Sequence, residues 1–159
     1  MSRLLTLAAG AALAFTTAGL VPARAAGQIA GLWLTDDGEA AVEVAPCGGD
    51  ICGHIVWLKT PTEDDGQPLR DDNNPDKSAR SKPICGLRIL GGLKPKGARF
   101  EGGWIYDPEA GKRYKLSAQL RPNGRLAIIG FVGIETFSET HEWRPAPAGL
   151  GRCSVPGNG

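Results

Sequence analysis

The sequence predicts an all-β protein, folded as an eight-stranded antiparallel up-and-down β-barrel. Beyond residue 25, apolar and polar residues alternate repeatedly, and no stretch holds a convincing helical period. Clusters of Gly, Pro, Asn and Asp separate the alternating segments. Because eight short strands in series can close on themselves and so remove both sheet edges, these observations favour a barrel.

The clearest strand covers residues 112–120, where apolar side chains alternate with polar ones. Such alternation is typical of a strand with one face in water. The same pattern predicts the other strands near residues 30–35, 39–45, 51–58, 84–91, 99–106, 125–132 and 137–144. Turn-forming residues at 35–38, 107–111 and 121–124 connect neighbours in sequence, as an up-and-down order requires.

The first 25 residues have the pattern of a secretory signal peptide. Arg3 precedes an apolar and small-residue run over residues 4–21, and Ala23-Arg24-Ala25 offers a small-residue cleavage site. A membrane-spanning helix would need roughly 20 strongly apolar residues, whereas this run is mostly Ala, Gly, Leu and Thr. We therefore expect one mature domain over residues 26–159, periplasmic or secreted and without a transmembrane segment.

The charge pattern predicts no nucleic-acid partner. Removal of Arg3 and Arg24 with the signal peptide leaves 16 Lys and Arg against 17 Asp and Glu. Charges of both signs are interspersed, so neither a basic face nor a polybasic membrane patch is predicted. The length fits one domain, whose site must lie inside the barrel or on its loops.

Four cysteines, Cys47, Cys52, Cys85 and Cys153, lie in the exported part, where an oxidising compartment allows them to pair. Cys47 and Cys52 flank the turn sequence Gly48-Gly49-Asp50 and are expected to bridge each other. Cys85 and Cys153 would then tie the tail to the body, although the sequence permits three connectivities. A zinc site is less favoured, because no Cys-x-x-Cys pair is present and only two histidines could join.

One connection, over residues 59–83, is too long for a hairpin, and loops of this length are usually functional or mobile. Oxygen-bearing side chains alternate within it as they do in a calcium loop, at Asp72, Asn74, Asp76 and Ser78. However, Lys77 and Pro83 stand where an EF-hand needs Gly and Glu. We therefore favour turn capping by Asp72 and Asn74, and predict no metal.

Several aromatic side chains could line a pocket or fill the core: Trp57, Phe100, Trp104, Tyr106, Tyr114, Phe131, Phe137 and Trp143. Small barrels fill their interiors with large side chains, so most of these should be core. Trp104, Tyr106 and Tyr114 surround one hairpin and could present rings and hydroxyls at an open mouth. We predict a ligand-binding site from these three, with Trp57 and with Asp72 and Asn74 of the long loop.

No catalytic constellation stands out, and no cofactor is predicted. His54 and His141 lie on separate predicted strands without an evident third metal ligand. Neither Gly-x-Ser-x-Gly nor Ser-x-x-Lys occurs. Glu139 and Asp107 could form a carboxylate pair for glycoside hydrolysis, but carboxylates on a barrel surface are ordinarily solvated.

The two ends of the mature chain carry a recognisable pattern. Gly31-Leu32-Trp33 opens the first strand and Trp143-Arg144 ends the last one, so closure would place them side by side. This arrangement resembles the structural signature of the lipocalin and fatty-acid-binding superfamily. The resemblance implies that Trp33 plugs the closed end of the barrel and that Arg144 lies across its ring in a cation–π contact.

A closer resemblance covers nearly the whole mature chain. Its segments are Gly31-Leu32-Trp33, Cys47 through Cys52-Gly53, Asp72-Asn73-Asn74-Pro75-Asp76, Pro83-Ile84-Cys85-Gly86-Leu87, Gly102-Gly103-Trp104-Ile105-Tyr106-Asp107-Pro108 with Gly111-Lys112 and Tyr114, and Glu142-Trp143-Arg144. In this order they resemble the exported bacterial family called domain of unknown function 2147, similar to lipocalins in fold. The resemblance implies a fold and a compartment, with no established reaction and no catalytic residues.

The sequence thus predicts an exported lipocalin-like barrel that binds a small apolar or amphipathic molecule through its open end and the 59–83 loop. This hypothesis requires a cavity. A second hypothesis is an envelope protein-interaction module, in which a solid barrel presents the charged loop to a partner. A third, less favoured, is an enzyme with an unrecognised site.

Overall fold

Eight antiparallel strands, joined in chain order, close into one barrel in the computed structural model, which describes residues 28–136 and 138–153. The predicted fold class is therefore confirmed. The strands are β1 (Gly31–Leu34), β2 (Ala40–Cys47), β3 (Asp50–Leu58), β4 (Arg88–Lys96), β5 (Arg99–Asp107), β6 (Lys112–Leu120), β7 (Leu126–Phe131) and β8 (Ser138–Pro145). The predicted signal peptide and Phe137 lie outside the described residues.

Helical structure in the described part of the chain is short. One 3-10 helix, Lys77–Ala79, lies in the connection between β3 and β4. Within residues 28–136 and 138–153, no helix is long and apolar enough to cross a membrane.

The predicted position of the fourth strand was wrong. It was expected at 84–91, whereas β4 runs Arg88–Lys96. Ile84 and Cys85 are buried, but they precede a turn in which the Leu87 N–H donates to the Ile84 carbonyl (3.0 Å) and Gly86 has a φ of 86°. Left-handed backbone of this kind ends an extended segment. The long loop therefore covers residues 59–87 rather than 59–83.

The barrel closes through a short seam between β1 and β8. Only two residue pairs join these strands, Trp33 with Pro145 and Leu34 with Arg144. The Ala146 N–H adds a bond to the Leu32 carbonyl (2.9 Å) just beyond the seam. The chain after β8 therefore helps to hold the barrel closed.

Two disulfides fasten the chain, and they have the pairing that the sequence favoured. Cys47–Cys52 spans the turn between β2 and β3, and Cys85–Cys153 joins the long loop to the tail, with Cα separations of 5.9 and 6.2 Å. The Cys153 N–H donates to the Val56 carbonyl (2.8 Å), which holds the tail against β3.

An exposed ion pair also holds the tail. Arg152 Nη1 donates to Glu43 Oε2 of β2 at 2.8 Å. This side-chain hydrogen bond outweighs the partial burial of Glu43 and lowers the pKa of its carboxyl group. The tail therefore has polar contacts to the outside of the barrel in addition to its covalent anchor.

The two ends of the barrel are packed differently. The end at which β1 starts is filled by large buried side chains, among them Ile29, Trp33, Phe100, Leu116 and Leu126. The indole N–H of Trp33 donates to the Ile29 carbonyl at 2.9 Å, so its one polar group is satisfied there. The opposite end carries the β1–β2, β3–β4, β5–β6 and β7–β8 connections. Any open site must therefore lie at that opposite end.

Removal of the Cys85–Cys153 bridge should cost more stability than removal of the Cys47–Cys52 bridge. The first joins residues 68 apart and the second residues 5 apart, and loop entropy grows with the logarithm of that separation. We expect Cys85→Ser with Cys153→Ser to lower the free energy of unfolding by about 4 kcal/mol, and the Cys47→Ser, Cys52→Ser control by about 2 kcal/mol. Urea unfolding of both double variants measures the difference, and equal losses would contradict the expected order.

Candidate functional site

A cavity of about 870 Å³ opens at the end of the barrel that carries the long loop. Its volume lies within the roughly 300–1,000 Å³ range of small-molecule sites. The walls are apolar: Ile55, Leu58, Leu69, Ile84, Ile89, Ile105, Ile128 and Phe131. Trp143, only 4% exposed, lies among them at a position of β8 that pairs with the first residue of β7. Trp143 therefore separates the cavity from the packed end.

Of the four aromatic residues predicted to bind a ligand, the structure places two on the cavity and two elsewhere. Tyr106 and Tyr114 line it. Ile105 faces the interior, so alternation along β5 puts both Trp104 and Tyr106 on the outer face. Tyr106 still reaches the cavity because it lies near the end of β5 against the loop residue Asp71, whereas Trp104 does not reach it. Trp57 is half-buried and is not part of the lining either. Trp104 and Trp57 therefore lie outside the cavity lining.

The long loop is fastened to the β5–β6 hairpin by a buried carboxylate that the sequence did not reveal. Asp71 is fully buried, and its two oxygens accept from the Tyr106 hydroxyl (2.7 Å) and the Asn74 amide (2.6 Å). The Asn73 amide donates to the Glu109 carbonyl (2.9 Å). Gly111, at a φ of 62°, packs so closely that an added Cβ would overlap the Asn73 carbonyl. The loop thus forms part of the cavity wall through its contact with Tyr106.

The remaining polar residues of the loop cap its own turns. Asn74 Oδ1 accepts from the Asp76 N–H, and Asp76 Oδ1 accepts from the Ser78 N–H, both at 2.9 Å. Hydrogen bonds from Ser78 lower the pKa of Asp76. Capping was predicted for Asn74 and is found there, whereas Asp72, predicted to cap and to bind a ligand, is exposed and outside the cavity lining. The calcium-like spacing is thus used for turns, and the described residues contain no group of three or more potential metal ligands.

Acidic side chains dominate the mouth of the cavity. The lining contains six carboxylates against one arginine and one histidine: Asp36, Asp37, Glu39, Asp107, Glu109, Glu139, Arg70 and His141. Lys59 pairs with Glu39 at 2.7 Å just outside the lining. Partial burial raises the pKa of Asp37, but bonds from the Glu39 N–H and the Thr35 hydroxyl outweigh it, so that the net shift is downward. The mouth therefore carries a clear excess of negative charge at neutral pH.

The residues considered for chemistry are only partly brought together. His141 Nδ1 lies 2.7 Å from Asp36 Oδ2, and its Nε2 lies 3.4 Å from Glu139 Oε1, all at the mouth. Asp107 lines the same cavity but accepts the Glu109 and Ala110 N–H groups of its own turn. His54 is exposed on β3 and is not part of the lining. The two histidines therefore do not share a site.

The expected stacking of Arg144 on Trp33 is not found. In the described part of the chain, the cations over a tryptophan ring are Arg88 and Arg113, both on Trp104. Arg144 is exposed, and its guanidinium lies beside Gly38 in the β1–β2 turn. Arg144 pairs with Leu34 through the backbone, and its side chain extends toward the open end instead of across the indole.

Fold and cavity together define a lipocalin-like barrel with one open end. The chain belongs to the family described as "Uncharacterized protein conserved in bacteria (DUF2147)", whose model matches residues 31–144. Among solved structures it is similar to one described as "Protein HP1028 from the human pathogen Helicobacter pylori belongs to the lipocalin family". That similarity has a TM-score of 0.65 and 19% identity, and covers 76% of this chain and 84% of the other. At this identity the likeness is one of fold. No curated protein matches the chain.

Tyr106→Phe should destabilise the protein, because it removes a donor from a fully buried carboxylate. We expect a loss of about 1–3 kcal/mol in the free energy of unfolding. Burial, and then the hydrogen bond to Asp71, raise the pKa of Tyr106 to about 12. This folded-state pKa exceeds the ordinary value of 10.0. The stability that the protonated Tyr106 hydroxyl contributes is therefore complete below pH 10.0 and is lost as the pH rises through about 12.

Denaturant unfolding and the ultraviolet titration of tyrosinate measure both effects. The matched control is Tyr114→Phe, which removes the hydroxyl of the other tyrosine and leaves the bond to Asp71 intact. In Tyr114→Phe, Tyr106 is the one remaining tyrosine, and its phenol should show the raised pKa. An ordinary pKa in this control, or equal stability of the two variants, would contradict the role of the Tyr106–Asp71 bond.

Proposed function

We propose that the protein is an exported barrel that binds a small amphipathic molecule, with the apolar body in the cavity and the head group at the mouth. The observation that carries this proposal is the apolar cavity of about 870 Å³, open at one end. A solid protein-interaction barrel would have no need of such a space. The cavity therefore supports ligand binding over the interaction hypothesis.

The distribution of polarity in the cavity gives the ligand an orientation. Apolar walls favour an alkyl chain or ring at about 25 cal/mol for each Å² removed from water. Charged side chains are confined to the connections at the mouth and to the adjoining strand ends. Val132 and Ile134, 73% and 63% exposed, add apolar surface beside the mouth. An apolar tail would enter first and leave its polar group among the mouth residues.

The charge of the mouth favours a cationic head group over an anionic one. Six carboxylates face one arginine and one histidine around the opening. An ammonium group would gain from this field, and a carboxylate or sulfate would be repelled. The proposed ligand class is therefore a small amphiphile with a positive or neutral head.

The proposed compartment outside the cytoplasm rests on three features. The first 25 residues have the pattern of a signal peptide. Two disulfides join the cysteines, and such bridges persist in oxidising compartments. The family is bacterial. A periplasmic or secreted protein is consistent with all three.

Filling the cavity should weaken ligand binding without disturbing the fold. Gly130 lines the cavity, and a Cβ added there meets Ile105 and Tyr114 at an ordinary 3.9 Å. We expect Gly130→Phe to weaken binding of the neutral fluorophore N-phenyl-1-naphthylamine at least about tenfold, or about 1.4 kcal/mol. Gly151→Phe is the matched control, because a side chain there meets open space. Equal affinity in Gly130→Phe and the control would place the probe outside the cavity.

Head-group preference should follow the charge of the mouth. Dodecylamine, dodecanol and dodecanoate share one chain length, and we expect dodecylamine to displace the fluorophore at about tenfold lower concentration than dodecanoate. The double variant Glu109→Gln with Glu139→Gln should reduce this difference between dodecylamine and dodecanoate. The control variant, Glu101→Gln with Glu142→Gln, changes carboxylates outside the cavity lining and should leave the difference unchanged. Displacement by none of the three would refute the proposed function. Displacement that ignores head group would refute only the preference.

A further inference from the structure

A second concave site lies on the outside of the barrel, between the long loop and β4–β6. It is a groove of about 610 Å³ with the loop on one side and the strands on the other. Asp71, Asn74 and Lys82 line it from the loop, and Arg88, Tyr106 and Arg113 from the strands. Because Tyr106 is hydrogen-bonded to Asp71, the two sides are held together and the groove has a fixed shape.

Three cationic side chains converge on this groove from separate elements. Arg88 begins β4, Arg113 lies on β6 and Lys82 belongs to the loop. The two guanidinium groups both stack on Trp104, with Cζ atoms 5.3 and 4.1 Å from the ring centroid. Their positive charges therefore lie within about 10 Å of each other, which is a Debye length at ordinary ionic strength.

The position of Arg88 is set by a glycine of its own strand, β4. Its guanidinium lies so close over Gly91 that an added Cβ would overlap it. The absence of a side chain at Gly91 thus allows the arginine to lie flat along the strand and reach Trp104. Stacking and this close approach reduce the freedom that a long surface side chain would otherwise lose on binding a ligand.

In the described part of the chain these cations form no close ion pair, and Lys82 acts on Asp76 only at longer range. Among the described residues, ion pairs within 4 Å involve other side chains and none of Lys82, Arg88 and Arg113. The one carboxylate that lines the groove, Asp71, is fully buried and already accepts from Tyr106 and Asn74. Three cations face this one carboxylate, so the groove keeps a net positive charge that an anion from solution would reduce.

We propose that this groove binds a phosphate group, either free or on a lipid head group, independently of the barrel cavity. Guanidinium groups match phosphate oxygens with paired hydrogen bonds, and Lys82 adds a third positive charge from the opposite side. The groove and the acidic mouth have opposite charge. The protein thereby separates a site for an anion outside the barrel from a site for an amphiphile inside it.

Nuclear magnetic resonance of the folded protein tests the groove directly. Inorganic phosphate is titrated at constant ionic strength against chloride, and we expect saturable shifts of the Arg88 and Arg113 Nε–H signals and the Gly91 amide. Arg88→Gln with Arg113→Gln should weaken binding at least about tenfold. Gly91→Ala, which displaces Arg88 but keeps every charge, should weaken it as well.

The charge-matched control is Arg121→Gln with Arg125→Gln, in the β6–β7 connection at the packed end. Its phosphate affinity should equal that of the wild type, and equal loss in this control would overturn the proposal as non-specific attraction. Chemical-shift changes that chloride reproduces would overturn it too.

Sedimentation with phosphatidylglycerol vesicles distinguishes the two sources of phosphate. Binding to vesicles alone, if it is lost in Arg88→Gln with Arg113→Gln, assigns the phosphate to a lipid. Binding of inorganic phosphate assigns it to a free anion. Binding of neither refutes the site.

Discussion

Closure of the sheet is the constraint on which the other features of this protein depend. In a closed eight-stranded barrel, inward side chains share one interior of fixed width, so the large residues decide where space is left. Trp33, Phe100 and Trp143 are all buried toward one end. Near the other end, Ala40 and Gly130 occupy lining positions with small side chains or none. The cavity is the result of this unequal distribution along the strands.

The long loop depends on the same barrel and completes it. The buried carboxylate of Asp71 has its oxygens satisfied by Asn74 within the loop and by Tyr106 of β5. The loop in turn contributes Leu69 and Ile84 to the cavity wall and Lys82 to the outer groove. One hydrogen bond between a strand and a loop therefore connects the two concave sites. Loss of that bond should affect the shape of both.

Much of the fold could be predicted from the sequence, because strand alternation and turn residues are local signals. Seven strands lie within a few residues of their predicted positions, and β4 was misplaced because Ile84 and Cys85 are buried in a turn instead of a strand. The site was harder to predict. Which face of β5 points inward depends on closure and register, so the outward position of Trp104 was not predicted.

Other site residues gave weaker signals or none. Asp71 is preceded by Arg70 and followed by Asp72, and nothing in this charged segment indicates that its carboxylate alone is buried. The acidic mouth, in contrast, could have been found. Asp36, Asp37, Glu39 and Glu109 lie in or beside connections that an up-and-down order places at one end of the barrel. The excess of negative charge at the mouth is visible when the charges of the connections at each barrel end are summed separately.

The most direct test of the central claim, that the open end holds a ligand inside the barrel, is to map where a ligand binds. Amide chemical shifts of the folded protein are recorded as dodecylamine is added. If dodecylamine enters the barrel, the largest shifts occur at Ile105, Ile128 and Gly130, which line the cavity, and small shifts occur at Phe100 and Leu116 in the packed end. Shifts confined to the outer surface, with these interior amides unchanged, would contradict it.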